Sequence, residues 1–270
     1  MLVQMKLANR LPSAVLLFLC FNVASAREDI TDREEWGAVF SKFKAEGTMV
    51  VFDGRTKPGG TFSFDRDRAA KRFSPASTFK IPHALFALDA GIIRDEFQVI
   101  PWDGKKRPYD AWNRDQTLRS SMRHSVVWVY ETFAAAIGED REREYMKRIK
   151  YGNADPTGDK PFWVEGNLRI SALEQVDFLR RLYENKLPLD VSTQRLVKDI
   201  MINEAGSDWI LRAKTGWSGT IGWWVGWVEK PDGAVFFALN IDTPNRMDDL
   251  SKREAIAREI LKRIDAIPNN

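Results

Sequence analysis

The sequence predicts a mixed α/β body of the α+β kind, a central antiparallel sheet flanked by helices and joined to an all-helical lobe. Three observations carry that expectation. Strand-like segments gather toward both ends of the chain, apolar residues recur at helical spacing through its middle, and a charged amphipathic segment closes it before Pro268. The 270 residues, 44% hydrophobic and 29% charged, suit one globular domain or two interleaved lobes and exclude disorder, collagen-like repeats and a polytopic membrane protein.

Taken in order, residues 48–52 read as a strand, followed by a turn at Pro58-Gly59-Gly60 and a second strand over 61–64. Helical spacing runs over 115–137, 139–150, 171–183 and 191–202. Strands return over 209–214, 221–229 and 234–240, the last two joined through the turn Lys230-Pro231-Asp232-Gly233 as a hairpin. The closing helix is expected over 247–267. The early and late strands are therefore expected to share one sheet, with the helical lobe inserted between them.

Residues 1–26 stand apart. Lys6 and Arg10 precede the apolar run 14–23, and Ala24-Ser25-Ala26 is a small-x-small exit, the pattern of a cleavable signal peptide. The run is too short to span a bilayer. Cleavage after Ala26 removes 26 of the 270 residues and two of the 41 basic side chains, so a mature domain over 27–270 carries 39 basic against 38 acidic groups. Opposite charges are mixed along the chain, which leaves no footprint for a nucleic acid. The one cysteine, Cys20, falls in the removed segment behind Leu19, too large a neighbour for lipid attachment, so the mature chain has no thiol and no disulfide. A periplasmic protein with no membrane attachment after cleavage is expected.

Much chemistry is missing. His83 and His124 lack metal-ligand spacing, and no G-x-G-x-x-G, G-x-x-x-x-G-K or G-x-S-x-G occurs, so no metal is expected and nucleotide or nucleophile-elbow chemistry loses its ground. Both histidines read as packing residues. What remains is Ser77-Thr78-Phe79-Lys80, an S-x-x-K arrangement that serves acyl transfer without histidine. At i and i+3 of a helix the two Cβ atoms are roughly 5–6 Å apart, so the lysine can receive the serine proton. A second copy, Ser41-Lys42-Phe43-Lys44, is flanked by Lys42, Lys44 and Glu46 as on a solvated face, where an amine keeps its ordinary pKa of about 10.4. Lys80 instead lies among Phe79, Ile81, Pro82, Ala84 and Leu85, surroundings that disfavour the ammonium form.

Ser125-Val126-Val127 on a central helix and Lys214-Thr215-Gly216 at a strand end complete an ordered trio. Either alone reads as ordinary structure, a helix-bonded serine or a strand terminus. Together with S-x-x-K they supply a second hydroxyl, a cation for a carboxylate and a strand-edge N–H for a developing oxyanion.

At this point the chain resembles the class D (oxacillinase) serine β-lactamases. The segment Ser74-Pro75-Ala76-Ser77-Thr78-Phe79-Lys80-Ile81-Pro82 is similar to that family's nucleophile segment, and Tyr151-Gly152-Asn153 to its Y-G-N element. Lys214-Thr215-Gly216-Trp217 with Gly222-Trp223-Trp224-Val225-Gly226-Trp227 is similar to its sheet strands. The resemblance implies the serine β-lactamase and penicillin-binding fold, penicillin-type antibiotics as substrates, and hydrolysis through an acyl-enzyme on Ser77. It implies the Ser77 and Trp217 N–H groups as oxyanion hole, and no cofactor beyond CO2, which carboxylates Lys80 to a general base held by the Trp163 indole. It further implies Ser125 as proton relay and Lys214, Thr215 and a late arginine at the substrate carboxylate, with Gly216 in the same strand. Arg253 has the family's spacing and Arg246 is the alternative. Val127 and Val164 match positions that crowd the lysine and gate the water, Tyr151 and Asn153 those that shape the pocket wall, and the strand pairing of class D dimers implies a homodimer as a partner. A slowly deacylating transpeptidase and a membrane-bound β-lactam sensor compete with this reading; the Y-G-N element and Trp163 oppose the first, and the cleavable leader opposes the second.

Overall fold

The computed structural model describes residues 29–269. The segment 1–26 expected to be a signal peptide, with Cys20, lies outside these residues. The chain enters through β1 (Ile30–Asp32), α1 (Gly37–Lys42), β2 (Gly47–Asp53), β3 (Gly60–Phe64) and α2 (Arg66–Ala70). It then builds α3 (Lys80–Asp89), α4 (Leu118–Arg123), α5 (Val127–Ile137), α6 (Glu139–Arg148), α7 (Ala172–Tyr183) and α8 (Val191–Ile200). It returns through β4 (Ile202–Ala205), β5 (Ile210–Trp217), β6 (Ile221–Lys230) and β7 (Gly233–Asp242) and ends in α9 (Leu250–Arg263). Among the described residues the strands form one sheet in the order β1-β3-β2-β7-β6-β5-β4. Early and late strands meet where β2 pairs β7, Val50 facing Ala238.

The sheet is covered on both faces, and the strand period of two sorts its side chains. From β6, Trp223, Val225 and Trp227 join the core shared with α3, α5 and α7, while Trp224 and Val228 face the core under α1 and α9. In β7, Phe236 and Ala238 take the first side, and Val235, Phe237 and Leu239 the second. Glycine at 226 is required by close approach: a Cβ there would lie 2.1 Å from the Arg212 carbonyl oxygen. Helix α7 starts at a capping box in which Ser171 and Glu174 satisfy each other's backbone N–H.

Four expectations are corrected. The sheet is not wholly antiparallel, because β1 pairs β3 in parallel, the chain having crossed through α1 and β2 between them. The helix expected over 115–137 is two helices broken at His124-Ser125-Val126, with Ser125 at φ 54°. The periodicity does not register the break because Leu118, Met122, Val126, Val129 and Phe133 are buried on both sides of it. Lys214-Thr215-Gly216 sits inside β5, which continues to Trp217. Finally, the closing helix is shorter than 247–267: a single 3-10 turn (Arg246–Asp249) precedes α9, and α9 stops at Arg263.

Candidate active site

The nucleophile segment is a tight turn held from two sides. Ala76 adopts φ 48°, a left-handed conformation uncommon outside glycine, and leads into a 3-10 helix (Ala76–Phe79) that passes directly into α3 at Lys80. The Ala76 N–H and the Ser74 hydroxyl both donate to the Trp163 carbonyl, at 2.8 and 2.9 Å, and the Trp223 indole donates to the Ser74 carbonyl at 2.8 Å. Beneath it, Thr78 Oγ1 donates to the Pro75 carbonyl and accepts from Gln175 Nε2, both at 2.8 Å. In a 3-10 helix residues i and i+3 eclipse. Lys80 therefore falls over Ser77, its Nζ donating to Ser77 Oγ at 2.8 Å.

Lys80 is wholly buried, below the half-buried Ser77. Desolvation, reinforced by the Lys214 charge and opposed by Glu131, holds its amine well below the ordinary ammonium range. The Tyr130 ring lies 5.2 Å from Nζ. Trp163 is also buried, and its indole Nε1–H has no protein hydrogen-bond partner. By contrast, the second S-x-x-K copy is exposed: Ser41 and Lys44 face solvent at the end of α1.

Lys214 reaches the opposite wall. Its Nζ donates to Ser125 Oγ and to the Thr215 carbonyl, both at 3.0 Å. Burial first and then Arg253 push this lysine down to about 7. Ser125 is presented by the helix break rather than by a helix. Trp112 pins that break by donating its indole N–H to the His124 carbonyl at 2.9 Å, and Trp128 in turn donates to the Trp112 carbonyl at 3.0 Å. Gly216 lets β5 press on the nucleophile turn, since a Cβ there would lie 2.9 Å from the Pro75 carbonyl oxygen. A crevice of about 280 Å³ between α4, α8 and β5 reaches Lys214 and Thr215.

Arg253 donates from Nη1 to the Gly216 carbonyl and from Nε to the Leu250 carbonyl, each at 2.7 Å. Arg246 is exposed and stands over the Trp217 ring at 5.6 Å. Trp217 anchors its indole N–H on Thr243 Oγ1 at 3.1 Å. Val127 opens α5 and Val164 follows Trp163, both half-buried. Tyr151 departs from its expected place on the pocket wall. It has no exposed surface and packs under Phe79 at 5.4 Å and against Phe178 at 5.2 Å, its phenol pushed up by burial. It supports the nucleophile helix from below.

Tyr130, the Trp112–Trp128 relay and the partner of His83 are site features that the sequence motifs do not mark. The spacing of His83, three residues after Lys80, was a signal; Glu142, 59 residues further along, carried none. His83 itself is the buried, hydrogen-bonded packing residue that its apolar neighbours predicted.

A family model for the penicillin-binding protein transpeptidase domain matches residues 41–262. β-Lactamase OXA-3 of Pseudomonas aeruginosa is 62% identical over 254 residues, covering 94% of this chain and 92% of that protein. β-Lactamase OXA-2 of Salmonella typhimurium is 60% identical over 259 residues, covering 94% of each. Among solved structures, the class D β-lactamase YbXI from Nostoc superposes with a TM-score of 0.83 at 35% identity, over 87% of this chain and all of that one.

Proposed function

The chain belongs to the class D serine β-lactamases, and from that premise we propose how its own residues open the β-lactam ring of penicillin-type antibiotics and so give resistance to them. The observation that carries the mechanism is the fully buried Lys80 Nζ, 2.8 Å from Ser77 Oγ. An amine that has lost its proton through desolvation can take one from a neighbouring hydroxyl, and Ser77 Oγ, at the mouth of the turn, attacks the lactam carbonyl carbon. The Ser77 and Trp217 N–H groups form the oxyanion hole in this reading, one from the nucleophile turn and one from the strand that Gly216 lets approach. As the ring C–N bond breaks, the Ser125 hydroxyl gives its proton to the lactam nitrogen and is resupplied from Lys214, 3.0 Å away. Lys214, Thr215 and Arg253 bind the substrate carboxylate, Gly216 spaces them from Ser77, and Val127 and Val164 crowd Lys80.

The residues fit a CO2-derived carboxyl group on Lys80. Only an unprotonated amine adds CO2, and a buried carbamate needs a donor, which the unpartnered Trp163 Nε1–H offers. When present, this group supplies an anionic general base for the serine proton and for the water that releases the acyl chain. No metal is required by the chemistry, and among the described residues no group of three His, Cys, Asp or Glu could hold one. Export to the periplasm through cleavage after Ala26 belongs to the same proposal, as does a homodimer paired along β1 or β4, the open edges of the sheet.

The match to the transpeptidase domain makes a persistent acyl-enzyme the second reading. Purified mature protein mixed with nitrocefin separates the two. Repeated turnover is expected, and a single stoichiometric burst would favour the transpeptidase. Covalent labelling by a fluorescent penicillin is expected to vanish in Ser77→Ala and to persist in Ser41→Ala; the reverse would overturn the assignment.

A further inference from the structure

Beneath Lys80 lies a buried polar pair that the reaction as described does not use. His83 is 0% exposed and Glu142 1%, and His83 Nε2 meets Glu142 Oε1 at 2.6 Å. The contact ties α3 to α6. Two buried polar side chains in an aromatic core cost stability relative to apolar residues of the same shape, so retaining them calls for a role.

Their surroundings point to one. Ser77, Lys80 and His83 follow one another at intervals of three, so the imidazole occupies the turn of α3 directly after the base. Its ring stands edge-on to the Trp163 ring at 4.7 Å and stacked toward the Tyr130 ring at 6.1 Å. The first bears the unpartnered indole N–H assigned above to the carbamate, and the second lies 5.2 Å from the Lys80 Nζ. His83 also touches Phe79, in the nucleophile turn, at 4.6 Å. A ring that contacts three parts of the site and is fixed at its far nitrogen by a carboxylate on another helix cannot rotate without releasing that carboxylate.

We propose that His83, anchored by Glu142, is a positioning residue that holds the Trp163 indole in register to retain the CO2-derived group on Lys80. This rests on the carboxylation reading given above and adds its support from behind. The cost of losing such an outer support is about tenfold in affinity for the group it steadies, the lower end of the range for outer partners of bound metals.

The test is a titration of CO2-depleted protein with 13C-bicarbonate, carboxylation being read from the carbamate 13C resonance and turnover measured in parallel. Glu142→Leu removes the anchoring carboxylate at nearly constant volume. The double variant His83→Phe with Glu142→Leu removes both polar groups at nearly constant volume, so that no charge is left buried alone. Both are expected to need about tenfold more bicarbonate than the parent for half-carboxylation, in line with the lost support. Acylation of Ser77 at saturating bicarbonate is expected to stay unchanged. His83→Gln, whose amide nitrogen can occupy the place of Nε2, is expected to recover most of the parental midpoint. Midpoints within twofold of the parent in both variants would overturn the proposal, even if their melting temperatures fall, since a merely structural pair moves stability and not the bicarbonate midpoint. A parent protein showing no carbamate resonance would remove the carboxylation reading and this role with it; a carboxylated parent with unshifted variants removes this role alone.

Discussion

Two lysines without an exposed charge, Lys80 and Lys214, face each other across the site, and burial acts on both in the same direction. Their consequences for activity are opposite. Lys80 is competent when neutral, so activity is gained as pH rises through its depressed value. Lys214 binds a carboxylate when charged, and with its pKa at about 7 that attraction is lost as pH rises through this value. KM for a penicillin is therefore expected to rise about tenfold between pH 6 and pH 8.5, the loss of roughly 1.5 kcal/mol for one charged hydrogen bond. A KM that is flat over this interval would show that Lys214 does not titrate against substrate. The arginines are separable by the same measurement. Arg253→Ala is expected to raise KM by about tenfold, as for removal of one charged hydrogen bond, and Arg246→Ala to change it less than twofold. The opposite ranking would move the carboxylate site toward the exposed arginine.

At the scale of elements, catalytic geometry depends on how closely β5 lies against the turn that carries Ser77. Gly216→Ala places a methyl group 2.9 Å from the Pro75 carbonyl oxygen and 3.1 Å from Thr78 Cγ2, so strand and turn must part. Displacements on the order of 1 Å cost up to about 100-fold in rate. The expected outcome is a fall in kcat/KM of about tenfold or more with a small change in melting temperature; an unchanged kcat/KM would show that the strand can yield without disturbing the oxyanion hole. The strand itself was legible, because alternation of large residues over 221–229 and the turn at 230–233 are local signals. The break at Ser125 was not. It is made by long-range bonds, Trp112 to the His124 carbonyl and Lys214 to Ser125, while the apolar spacing runs through it without interruption. For the same reason Tyr151 could be matched to a motif but not placed: whether a tyrosine lines a cleft or supports a helix from beneath depends on the packing of Phe79 and Phe178 around it.

For the whole molecule, the sheet makes a site from distant parts of the chain. Ser77 and Lys80 follow the early strands, Ser125 and Trp163 come from the inserted helices and loops, and Lys214 returns on β5. That joining of early and late strands was foreseeable from where strand signals lie along the sequence, whereas β1, β4 and the parallel β1–β3 pair were too short to leave a pattern. Among the described residues no helix is long and apolar enough to cross a membrane. The two apolar cores on either side of the sheet fix the turn, the break and the strand relative to one another, and that rigidity keeps water from the Lys80 amine. The most direct check of this central point is the rate of nitrocefin hydrolysis by CO2-depleted mature protein before and after bicarbonate is added. A slow rate that rises severalfold on addition, in the parent but not in Lys80→Ala, is the predicted result, and a rate indifferent to bicarbonate would contradict a Lys80 amine held neutral by burial and so open to carboxylation.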